Sequence, residues 1–145
     1  MTSSVSMTTT SAPPRRLGRS AAALALGFVA VVVLSLGTDE VLHLLNVYPP
    51  WNEPMYDSGL CFLALSYRIV YTVLGSYIAA RYTPHHPMGH AVALGVVGTI
   101  MGGAGAIATI PMHLGPAWYP IAIAITALPC AWLGGVLYRG WHSER

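Results

Sequence analysis

The sequence predicts an all-α membrane protein: a four-transmembrane-helix bundle, up-down-up-down, behind a disordered N-terminal tail. Three observations carry that reading. Of the 145 residues, 54% are hydrophobic and only 8% are charged, against about a quarter charged in a soluble domain. Four apolar stretches each approach the ~20 residues a helix needs to cross ~30 Å of hydrocarbon. The links between them are short and proline-bounded, which makes neighbouring helices antiparallel. The length suits one compact unit, and a net charge of +2 is too small to point to nucleic acid.

The tail comes first. Residues 1–14 (MTSSVSMTTTSAPP) hold almost no apolar bulk and cannot build a core. The tail is therefore placed at 1–16, on the cytoplasmic side, and the bundle at 17–145. Arg15, Arg16 and Arg19 then form a basic cluster directly before the first apolar run. Ser35-Leu36-Gly37 resembles a small-x-small cleavage site. The helical pattern nevertheless continues through Val41 and Leu42 to Leu45, so the first span is expected to stay as an uncleaved anchor.

The four spans are expected at about 17–46, 57–81, 88–110 and 117–138. Val47–Tyr56 (VYPPWNEPMY) carries three prolines and ends the first helix. Tyr82–Pro87 (YTPHHP) and Pro111–Pro116 (PMHLGP) make the other two turns. Arg15, Arg16, Arg19, Arg81, Arg139 and Arg145 all fall on one side, and the opposite links contain no Arg or Lys. The positive-inside rule then places both termini in the cytoplasm of a bacterial inner membrane. Tyr48, Trp51, Tyr56, Trp118 and Tyr119 would belt the outer interface; Tyr82, Tyr138 and Trp141 would belt the inner one.

Small residues mark the packing faces. The third span is dense in them, with Ala91, Gly95, Gly98, Gly102, Gly103, Gly105 and Ala106. Gly98, Gly102 and Ala106 form successive small-xxx-small pairs that let two backbones approach closely. Ala127, Ala131 and Gly135 repeat the device on the fourth span, and Gly75 and Ala79 occupy the second. The same residues suit packing inside the bundle, a homodimer seam or a place in a larger membrane complex. Pro129 is expected to kink the fourth helix.

The costly chemistry is polar. Ser35, Asp39 and His43 share one face of the first helix; Arg68, Thr72 and Ser76 share one face of the second. At ~1.5 Å per residue, Asp39 lies about 10 Å and Arg68 about 16 Å below the outer boundary. A long Arg stem spans that difference, so Asp39 is the expected partner of Arg68. Glu40 points about 100° away and is the second choice. Tyr67 and Tyr71 flank Arg68 and offer hydrogen bonds.

Three readings of this cluster stay open. Asp39, Glu40, His43 and Arg68 form a buried ion pair that fixes helix register, in a structural or accessory membrane subunit without enzymatic activity. Alternatively they form a relay in a proton- or ion-coupled transporter of a small solute. The third reading is an outward-facing metal site from Glu40, His43 and His113, because Glu-x-x-His is the spacing of carboxylate-bridged metal bundles. That motif occurs once, whereas such centres use it twice. His85, His86 and His90 read as solvated interface residues, and Cys61 and Cys130 as small buried ones. No nucleophile elbow, phosphate loop, zinc-protease helix or dinucleotide fingerprint is present, and no cofactor is expected.

With GTDEVLH, the PPW turn, YRIVYTVLG, AWYPIAIA and LPCAWLGG, the span region resembles uncharacterised small four-span bacterial membrane proteins. The resemblance implies a bacterial source and carries no activity. In length the chain is also similar to small multidrug exporters and fluoride channels. It lacks the mid-helix glutamate pattern of the first and the Arg-rich, Asn-containing motifs of the second.

Overall fold

The computed structural model describes residues 15–143. Four helices, α1 (Arg15–Leu44), α2 (Ser58–Tyr82), α3 (Pro87–Thr109) and α4 (Trp118–Ser143), are each long and apolar enough to cross a membrane. The described residues contain no strand. A 3-10 turn, Ile110–Met112, tightens the end of α3. The protein is an all-α, multi-pass membrane bundle with antiparallel sequential neighbours.

The helix ends follow from local chemistry. Asn46 adopts a left-handed conformation (φ 56°). It lets the Asn46 amide donate to the His43 carbonyl at 3.0 Å and the Val47 amide to the Leu42 carbonyl at 2.9 Å. That is a Schellman stop, and it ends α1 two residues before the expected limit of 46. Asp57 caps α2 by accepting from the Leu60 amide at 3.0 Å. Pro87 opens α3, where its missing N–H costs nothing. The fourth helix runs on to Ser143, five residues past the expected Tyr138. Arg139–Ser143 holds no proline, so the helix outlasts the apolar stretch. α4 also continues through Pro129. At the other end, α1 begins at Arg15, so the tail expected at 1–16 loses Arg15 and Arg16; the rest of it lies outside the described residues.

Packing rests on close backbone approach. α4 packs most extensively on α3 and then on α2, while α1 leans mainly on α2. At the α3–α4 seam, a Cβ on Gly102 would lie 3.0 Å from Ala124 Cα, and one on Gly98 would lie 3.3 Å from Ala127 Cβ. Ala131 is fully buried opposite Gly95, and Gly135 meets Ala91 and Met88. At the α2–α4 seam, Gly134 sits against the Val73 carbonyl and Ser76. At the α1–α2 seam, Gly27 and Gly75 face each other's carbonyls. Without a hydrophobic driving force between helices in lipid, such contact is what dispersion attraction has to work with. Not every glycine of α3 serves this end: a side chain at Gly103 or Gly105 would meet nothing within 4 Å.

The two links at one end of the bundle are tied together. The Met55 amide donates to the Leu114 carbonyl at 2.8 Å. The Tyr56 hydroxyl donates to the His113 carbonyl at 2.7 Å. This link end lies opposite Arg19, Arg81 and Arg139, and it holds the polar cluster.

Candidate functional site

Asp39 lies about a turn and a half from the end of α1, and Arg68 nearly three turns into α2. The Arg stem closes that offset. Its Nη2 donates to Asp39 Oδ2 at 2.6 Å and its Nη1 to Oδ1 at 3.3 Å, a two-pronged ion pair. The Asp39 side chain is 9% exposed and that of Arg68 is 23% exposed, so α1 and α2 are joined by a pair largely withdrawn from solvent.

Three tyrosines complete the arrangement. The Tyr67 hydroxyl donates to Asp39 Oδ1. Its single hydrogen is thereby spent, so the neighbouring Tyr48 hydroxyl, 3.2 Å away, donates to it. Arg68 Nη1 also donates to the Tyr67 oxygen at 3.3 Å and to the Tyr119 oxygen at 3.0 Å. The cluster therefore links α1, α2, α4 and the Val47–Tyr56 link. A fourth tyrosine adds a second tie between α1 and α2. Thr38 donates to the Leu34 carbonyl, so the Tyr71 hydroxyl donates to Thr38 at 2.8 Å.

The other expected site residues divide. His43 is half-buried beside the pair. Its Nδ1 lies 2.7 Å from the Asp39 carbonyl; a carbonyl only accepts, so Nδ1 carries the hydrogen. The ring stacks on Trp51 at 3.8 Å between centroids and 6° between planes. Glu40 is exposed and stays outside the pairing, because its position on the helix turns it away from α2. His113 is exposed and left-handed (φ 53°) at the end of the 3-10 turn. Among the described residues no three His, Cys, Asp or Glu side chains converge in a metal-binding set. Glu40, His43 and His113 are thus not brought together, since two of the three turn outward. Of the histidines at the opposite end of the bundle, His90 donates from Nδ1 to the His86 carbonyl at 3.1 Å, across the turn that Pro87 opens.

Sequence reasoning missed Tyr48 and Tyr119 as members of the cluster. By pattern both belong to the outer aromatic belt, yet Tyr48 is only 5% exposed. Its turn inward follows from the Schellman stop, which folds the link back over the end of α1. A lone membrane arginine with more donors than one carboxylate can absorb is the signal that pointed to further acceptors nearby.

Two cavities meet at the cluster. One, about 190 Å³, opens beneath the Val47–Tyr56 link and is bordered by Asp39, His43, Trp51, Glu53, Arg68 and Tyr119. The other, about 340 Å³, lies between α3 and α4 and is apolar apart from Arg68, Tyr119 and Thr109. Arg68 and Tyr119 stand in the wall between them.

Fold and cluster together define a class: a small multi-pass membrane protein built around a buried acid–arginine pair. No protein family, curated protein or solved structure matches the chain.

Proposed function

We propose that the protein is a structural or accessory subunit of a bacterial inner membrane, non-enzymatic, with both termini in the cytoplasm. In this reading the Asp39–Arg68 pair is an interhelical clamp that holds α1 against the α2–α4 core. The observation that carries it is the full engagement of the Asp39 carboxylate. Both oxygens of Asp39 accept from Arg68, Tyr67 donates to one of them, and Tyr48 backs Tyr67. A carboxylate so engaged is suited to holding geometry more than to exchanging protons. Exposed apolar residues along α1, among them Leu26, Val29, Val33 and Leu36, suit contact with lipid or a partner subunit.

One observation favours a second reading. The cavity beneath the Val47–Tyr56 link gives a solute or proton access to Asp39, His43 and Arg68 from one side. This supports a proton- or ion-coupled carrier that loads at the link end.

The two readings separate experimentally. Removing one partner of a buried pair costs roughly 3–5 kcal/mol, because the other charge is left uncompensated. Arg68→Leu is therefore expected to lower the folded yield in mild detergent sharply, and adding Asp39→Asn to recover part of it. A double variant no better than the single one would sink the clamp. In proteoliposomes carrying a pH-sensitive dye, the clamp reading expects no proton flux. Flux that is lost in Asp39→Asn protein of normal folded yield would establish the carrier instead.

A further inference from the structure

The clamp leaves donors over. The Tyr119 hydroxyl accepts from Arg68, and its own hydrogen meets no acceptor among the described residues. Arg68 has five N–H groups. Its bonds run through Nη1 and one hydrogen of Nη2, so the Nε hydrogen and the second Nη2 hydrogen are unspent. All of these belong to the two residues that form the polar end of the apolar cavity. The hydroxyl hydrogen of Thr109, the other polar group in its wall, is already given to the Gly105 carbonyl.

The rest of the cavity is hydrocarbon and bare backbone, from Gly102, Gly105, Ala106, Ile110, Leu114 and Ile123. A Cβ on Gly105 would meet nothing within 4 Å, so the glycine holds space open there. At about 340 Å³ the cavity is within the size range of small-molecule sites.

Charge narrows the ligand. Asp39 already neutralises Arg68. An anionic head would therefore leave one negative charge uncompensated against a wall that is otherwise hydrocarbon. A cation would face the guanidinium. What remains is an uncharged acceptor on an apolar body. We propose that this cavity binds a neutral, lipid-soluble carbonyl compound, its oxygen accepting from the Tyr119 hydroxyl and Arg68. The carbonyl is that of a membrane quinone or of a glycerolipid ester; either source meets the same donors. The inference uses only hydrogens that the clamp does not, so the clamp's structural role and this binding stand or fall separately.

The test is native mass spectrometry of the protein released from mild detergent with four probes. These are decyl-substituted benzoquinone, methyl decanoate, decylbenzene and decanoate. Wild-type protein is expected to retain the quinone or the ester, and to retain decylbenzene and decanoate less well. Preference for the quinone assigns the first source and preference for the ester the second. Tyr119→Phe removes the hydroxyl and is expected to weaken the carbonyl probe about 3- to 10-fold, the span of one neutral hydrogen bond, without changing decylbenzene. Gly105→Leu fills the cavity and is expected to abolish binding at unchanged melting temperature. Equal retention of decylbenzene, tighter retention of decanoate, or no effect of Tyr119→Phe would each overturn the proposal. If Gly105→Leu fails to fold, the Tyr119→Phe comparison decides alone.

Discussion

Tyr48 shows how much one side chain of a link contributes to the end of the bundle. Burial pushes its phenol above the ordinary value of 10.0, and the Asp39 carboxylate adds to that rise. The folded protein thus holds the phenolic proton more tightly than the unfolded chain does. Above about pH 10 the unfolded chain releases it first. The contribution is fully present below that pH and is lost as pH rises through the folded value. Melting temperature in detergent should therefore fall on alkalinisation beyond about pH 10, and Tyr48→Phe should flatten part of that fall. Tyr82→Phe, at a residue 56% exposed, is the control. An alkaline profile identical in wild type and Tyr48→Phe would remove Tyr48 from the cluster's energetics.

At the scale of the helix, the small residues have unequal roles. A Cβ on Gly134 would run into the Val73 carbonyl and come 3.0 Å from the Tyr77 amide, both backbone, so α2 and α4 would have to part. Gly134→Ala is expected to cost about 1–3 kcal/mol, the usual range for overpacking. Gly103→Ala meets nothing within 4 Å and should be neutral or gain up to ~1 kcal/mol from helix propensity. Unfolding titrations in mixed micelles measure both; similar costs at the two positions would refute the seam. This distinction was only partly legible beforehand. Small-xxx-small spacing picks out Gly98, Gly102, Ala127, Ala131 and Gly135, and the structure sets these along α3–α4 contacts. Ala106 is buried and borders the apolar cavity. Spacing is blind to Gly134, whose importance depends on which carbonyl lies opposite. The Asp39–Arg68 pairing followed from depth and face alone. Tyr67 was legible as a neighbour of Arg68; Tyr48 and Tyr119 were not, because they enter through a loop reversal and a helix start that have no periodicity.

For the whole molecule, the fold class was readable because bilayer length, proline-bounded links and helix number constrain each other. The arrangement in the membrane is a question of charge. Among the described residues the link end carries Glu53 and Asp57 and no Arg or Lys, whereas Arg19, Arg81 and Arg139 lie at the other end. Retention of basic segments on the cytoplasmic side predicts that the Val47–Tyr56 link, and with it the cavity that reaches Asp39, faces outward. Asn52 is an exposed residue of that link, and His85 is an exposed residue of the opposite turn. With Cys61 and Cys130 replaced by Ala, a membrane-impermeant maleimide applied to intact spheroplasts is expected to label protein carrying Asn52→Cys. It should spare protein carrying His85→Cys until the cells are opened. The reverse pattern would turn the bundle over. Labelling of both in intact cells would mean two orientations, and the cavity would then open to both compartments, a condition neither the accessory reading nor a one-way loading site accommodates.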